Sequence, residues 1–145
     1  MATCREVMTR EPACCQSTDS LVRVAQLMKT EDVGAVPIVD SSKKLVGMVT
    51  DRDIVVKAVA DGRECDSTTV RDAMSTDVVT CREDEDIEAA VSRMAQRQIR
   101  RIPVVDRNGN LCGIIAQADI ATRVNRDKTT GELVEAISEP GMARQ

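Results

Sequence analysis

The sequence repeats itself. Met8 and Met74, Leu21 and Ile87, Met28 and Met94, Pro37 and Pro103, Asp40 and Asp106, Gly47 and Gly113, and Asp53 and Asp119 stand at matched places, each pair 66 residues apart with no gap. Self-similarity at a fixed period marks a duplicated structural unit, one that is too small to bury its apolar face alone.

Each copy reads β-α-β-β-α. Leu21, Val24, Ala25 and Met28, like Ile87, Ala90, Val91 and Met94, fall at the spacing of a helix face. A short extended piece, residues 14–15 or 78–80, precedes each helix, and the acids from Glu83 to Asp86 complement the dipole at the start of the second. Paired strands follow: 35–39 with 45–49, and 102–105 with 111–115. Their connections are hairpin-length, and Asn108-Gly109 is a strong turn signal. Pro37 and Pro103 lack an N–H and are expected near strand starts or edges. A last helix packs Ile54, Val55, Ala58 and Val59, echoed by Ile120, Ala121 and Val124. The expected class is α/β (α+β), two tandem repeats packed about a pseudo-two-fold axis. The expected boundaries are 1–61, a linker at 62–69, 70–126, and a C-terminal helix and tail over 127–145.

Composition narrows the function. The chain has no Phe, Trp, Tyr or His, and a formal net charge of −4. It offers no aromatic platform or basic surface for nucleic acid. The commonest general acid–base residue near neutral pH is absent, so no catalytic residue is assigned. Six cysteines, at 4, 14, 15, 65, 81 and 112, form no C-x-x-C pair. They read as reduced, apolar side chains rather than metal ligands. No apolar run spans a membrane and no secretory leader is visible, which points to the cytoplasm.

The stretch Gly47-Met-Val-Thr50-Asp-Arg-Asp53 is a strand running into a helix start, with a hydroxyl, carboxylates and an arginine at the junction. Helix-start N–H groups and arginine favour phosphate, and carboxylates accept hydroxyl protons. With the lead-ins Met8-Thr9 and Met74-Ser75, and the segments from Val36 to Asp40 and from Ile102 to Asp106, it resembles the CBS-domain family. Nearly the whole chain resembles a stand-alone pair of such domains.

That resemblance implies a non-catalytic regulatory module, usually a homodimer. It would bind an adenosine-containing ligand (AMP, ADP, ATP, NAD or S-adenosylmethionine) in clefts between its repeats, with no required cofactor and with a protein target downstream. The family pattern is glycine, two positions, Thr or Ser, two positions, Asp. Copy one matches with Gly47, Thr50 and Asp53; copy two has Ala116 in place of the hydroxyl before Asp119. The resemblance gives Asp53 the ribose diol, Thr50 a ribose or phosphate oxygen, and Arg52 a phosphate contact. A first, tighter cleft would join these to Thr80, Arg101, Ile102 and Pro103. A second would join Asp119 and Arg100 to Cys15, Val36 and Pro37.

Simpler readings compete. Thr50 and Asp53 suit helix capping equally well, although Asp119, which recurs without its Thr, suggests more than a cap. Arg100 and Arg101 suit solvated surface. The fold also suits a ligand-free structural or partner-binding module, and Cys14-Cys15 suits a redox site.

Overall fold

The computed structural model describes residues 2–124, so the helix expected over 127–145 lies outside it. In chain order the elements are α1 (Cys4–Val7), β1 (Thr9–Arg10), α2 (Leu21–Glu31), β2 (Ala35–Val39), β3 (Leu45–Thr50), α3 (Asp51–Ile54), β4 (Cys81–Arg82), α4 (Ile87–Arg97), β5 (Arg101–Val105), β6 (Leu111–Ala116) and α5 (Gln117–Asp119). Both α3 and α5 run on as π-helical turns, Val55–Val59 and Ile120–Val124.

The chain forms two compact units whose limits are not those of the sequence copies. One is contiguous, Ala13–Val78; the other joins residues 2–12 to residues 79–124. In the split unit the strand order is β1-β6-β5-β4. The lead-in strand β1 of copy one thus pairs with copy two, Thr9 opposite Ile114. The contiguous unit repeats the order with single bridges. Ser75 pairs with Met48 on β3, and Cys15 with Ile38 on β2. Each lead-in completes the sheet of the other copy.

Each unit has its own aliphatic core. Leu21, Val24, Met28, Val36, Ile38, Val49 and Ile54 pack in the contiguous unit. Ile87, Val91, Met94, Ile102, Val104, Ile115 and Ile120 pack in the split one. Ser20 caps α2 by accepting the Arg23 N–H at 3.1 Å. The segment expected as a linker is docked instead. The Leu21 N–H donates to the Thr68 carbonyl, the Val22 N–H to that of Cys65, and Thr68 is buried.

Three expectations change. Ala25 lies outside the core stripe and is exposed. Val55 and Val59, expected inward with Ile54 and Ala58, are 56% and 57% exposed. The segment is wound with wide i→i+5 bonds, such as Ala60 N–H to the Val55 carbonyl, so only Ile54 and Ala58 reach the core. The prolines sit mid-strand, and β5 is flanked on both sides. Pro37 faces Met48, whose N–H and C=O both bond Ser75 on the other side, so this position carries no ladder bond to lose. On the opposite edge the Pro37 carbonyl accepts the Cys15 N–H at 3.1 Å.

Candidate functional site

The antiparallel hairpins bring the start of one strand beside the end of the next. Ala35 therefore faces Thr50, and Arg101 faces Ala116. This makes one corner in each unit, where strand turns into helix, and the key polar residues of the sequence signature gather there.

In copy one the corner is satisfied internally. The Thr50 hydroxyl accepts the Asp53 N–H at 3.0 Å, and Asp53 Oδ2 accepts the Thr50 N–H at 2.9 Å, a reciprocal capping box. Asp53 Oδ1 pairs with Lys57 Nζ at 3.4 Å. The Asp51 N–H donates to the Gly34 carbonyl, and Asp51 Oδ1 takes the Arg52 N–H. The helix-start amides expected to favour phosphate therefore have protein acceptors. The hydrogen of the buried Thr50 hydroxyl has no acceptor among the described residues, and neither does the exposed Arg52 guanidinium.

In copy two, Asp119 Oδ2 accepts the Ala116 N–H at 2.8 Å, and the Gln117 N–H donates to the Arg100 carbonyl. Alanine supplies no hydroxyl, so only half the box exists. The recurrence of Asp without its Thr has a structural cause: the carboxylate closes the same backbone turn in both copies. Here Arg100 and Arg101, with Ala116, Gln117, Ala118 and Ala121, line a pocket of about 330 Å³. Neither arginine has a carboxylate partner among the described residues. Gln117 and Ala118 were not singled out in the sequence, although they stand at the positions of Asp51 and Arg52.

The remaining candidates divide by burial. The Val36 and Ile102 side chains are fully buried in the two cores, so they offer a ligand backbone rather than an aliphatic wall. Pro37 and Pro103 are buried in mid-strand. Thr80 precedes β4, and its carbonyl accepts Arg93 Nη1 at 3.1 Å. Arg93 is held in turn by both oxygens of Glu85, at 2.8 and 2.7 Å. Its guanidinium pulls the Glu85 carboxyl below the ordinary value.

At Cys14-Cys15 the first thiol is half-buried and the second buried. Burial pushes the Cys15 thiol up to about 11, away from a reactive thiolate. The Cys4 and Cys81 thiols donate to the Asp86 and Pro103 carbonyls, each at 3.9 Å, and their influence on each other lowers Cys4 and raises Cys81. Among the described residues no cluster of three or more Cys, Asp or Glu is placed to hold a metal ion. No helix there is long and apolar enough to cross a membrane.

Known proteins match this arrangement. The family model described as CBS domain matches twice, over residues 4–59 and 70–126. The CBS domain-containing protein YhcV of Bacillus subtilis (strain 168) is 38% identical over 138 residues, spanning 95% of this chain and 96% of its own. A solved structure of Hypoxic Response Protein I, with two coordinated zinc ions, has a TM-score of 0.78 at 33% identity, covering 84% of this chain and 98% of that one. The CBS domain pair of protein MJ0100, in complex with 5-methylthioadenosine and S-adenosyl-L-methionine, has a TM-score of 0.73 at 29% identity and covers 83% and 94%. Two matched repeats, two matching corners and a relative covered over nearly its whole length agree: the chain belongs to the CBS domain family and carries a pair of these domains.

Proposed function

We propose that this protein is a non-catalytic sensor of an adenosine-containing ligand. The observation that carries the reading is the pair of strand-to-helix corners, one with a buried threonine hydroxyl and a carboxylate, the other a pocket bordered by two arginines without carboxylate partners. The MJ0100 pair, which holds two adenosine compounds, supports it. A carboxylate accepts both hydroxyls of a ribose diol, and Asp53 and Asp119 reach their corners with that chemistry. Thr50 and Arg52 in copy one, and Arg100 and Arg101 in copy two, supply the other polar contacts. Ligand binding acts by favouring one arrangement of the protein over another.

The working form in this reading is a cytoplasmic homodimer that passes its signal to a protein target. Val55, Val56 and Val59, 56%, 47% and 57% exposed, form an apolar face suited to a second copy.

Isothermal titration with AMP, ADP, ATP, NAD and S-adenosylmethionine tests the reading. Saturable binding of at least one is expected, with a matching rise in melting temperature. No heat and no thermal shift with any of them at about millimolar ligand would sink it. A second reading, a ligand-free partner-binding module, draws on the closed capping box at Thr50 and Asp53. It gains if a partner co-purifies while every titration is flat.

A further inference from the structure

Both units seat their lead-in through the same backbone bonds. In the contiguous unit the Val70 N–H donates to the Asp19 carbonyl and the Arg71 N–H to that of Ser17. In the split unit the Cys4 N–H donates to the Glu85 carbonyl and the Arg5 N–H to that of Glu83. Each of these residues stands 66 places from its counterpart. Beside each seat lies a buried cysteine, also matched: Cys15 bridges Ile38, and Cys81 pairs with Val104. One difference matters chemically. The seated residue is Val70 in the contiguous unit and Cys4 in the split one.

The backbone brings the two thiols of the split unit together. Residues 2–5 run antiparallel to residues 83–87: Thr3 bridges Asp86, and the Ile87 N–H donates to the Ala2 carbonyl. A turn folds Glu85 back toward β4, with the Glu85 N–H on the Arg82 carbonyl and the Arg82 N–H on Glu85 Oε1. Arg93 clasps this turn by bonding both Glu85 and the Thr80 carbonyl, on either side of Cys81. Cys4 and Cys81 therefore enter the same buried cluster, although 77 residues separate them in the chain. Each is the largest single influence on the other's proton affinity, and the Arg93 guanidinium also favours a thiolate at Cys4.

We propose that Cys4 and Cys81 are a reversible disulfide site, which fastens the lead-in of copy one to the sheet of copy two. The oxidant is a low-molecular-weight disulfide, which meets the thiols when the chain's first turn opens. The Cys4 thiolate attacks one sulfur of that disulfide and expels a thiolate. Cys81, giving up its proton, then attacks the Cys4 sulfur of the mixed disulfide and expels the second thiolate. Two electrons pass from the protein to the small disulfide, which leaves as two thiols carrying the two protein protons. A reducing dithiol runs the exchange backward. The bond closes a long loop, so it constrains the unfolded chain strongly and holds the non-local lead-in shut. The contiguous unit, with Val70 at the matched place, has no such fastening. This inference is independent of the adenosine reading.

The test is incubation of the folded full chain with oxidised glutathione, followed by digestion without reduction and mass spectrometry. A peptide linking Cys4 to Cys81 within one chain is expected, and dithiothreitol should abolish it. The oxidised protein should melt about 5 °C or more above the reduced one. Cys4→Val, which installs the residue found at the matched place, and Cys81→Ala should each remove both effects. Cys15→Ala should leave both in place. Melts of the reduced variants verify that each is folded, and the wild-type peptide map stands without them. Glutathione adducts alone, a link to a different cysteine, or a Cys4–Cys81 link that leaves the melting temperature unmoved would overturn the inference.

Discussion

The α-carbon of Gly113 lies so close to Met8 that a methyl group on it would overlap the methionine sulfur and stand 2.9 Å from the Thr9 carbonyl oxygen. Gly47 meets Met74 and the Ser75 carbonyl in the same way, at 3.0 and 2.9 Å. The glycine of each signature is there to let the other copy's lead-in approach. Gly113→Ala should therefore destabilise by about 1–3 kcal/mol, as overpacking does. Urea unfolding measures it, and a change within about 0.5 kcal/mol would show that the lead-in yields.

The hairpin turns differ at one matched position. Lys43 has φ 69 and Gly109 has φ 85, both left-handed. A non-glycine residue there costs about 1–2 kcal/mol, partly offset by the greater freedom of glycine in the unfolded chain. Lys43→Gly should raise stability by about 0.5–1 kcal/mol, and Gly109→Lys should lower it. A loss on Lys43→Gly in thermal or urea unfolding would contradict this account.

Glu85 is a source of acid sensitivity. Its carboxyl is depressed below the ordinary 4.5, chiefly by hydrogen bonds from Arg93. A depressed carboxylate contributes stability above its unfolded-state value and loses it as pH falls through the folded value. Wild type should exceed Glu85→Gln by about 1 kcal/mol at neutral pH, discounted for partial exposure. The gap should close on acidification below about pH 5. A gap independent of pH would mean that the pair contributes through packing.

The buried Cys15 and the half-buried Cys112 should resist alkylation. Cys15 and Cys112 are pushed up to about 11, mainly by burial. Iodoacetamide at about pH 8 should leave both unmodified in the folded protein and label them on denaturation. Rapid native labelling of Cys15 would revive a redox role.

Val55→Asp combined with Val59→Asp should leave the fold intact, since both side chains are more than half exposed. If this face seats a second copy, sedimentation will show wild type as a dimer and the variant as a monomer. A variant dimer would move the interface elsewhere.

The 66-residue period made much of the architecture legible. It placed the helices, the hairpins and the turn aspartates, and Asp40 and Asp106 do accept turn N–H groups through Oδ1 in both copies. It was silent on partner choice, because a repeat says which segments are alike and not which copy each lead-in joins. Mid-strand Pro37 and Pro103 were misplaced because the cost of a missing N–H depends on which neighbour faces it. At the corners, residue type singled out Thr50, Asp53, Arg100 and Arg101 as candidates. Only coordinates could show that the first two already bond each other's backbone while the arginines lack carboxylate partners.

The exchanged lead-ins order the chain in time as well as space. Thr9 pairs with Ile114, roughly a hundred residues downstream, whereas Ala13–Val78 is complete in itself. On a ribosome the contiguous unit can close while the first strand still waits for its partner. Once folded, it replaces a long flexible loop with a compact plug, lowering the entropy cost of joining the chain's beginning to its later half. The protein is thus wired as one domain inserted into another, and a circular permutant opened between residues 12 and 13 would turn that nesting into two domains in series.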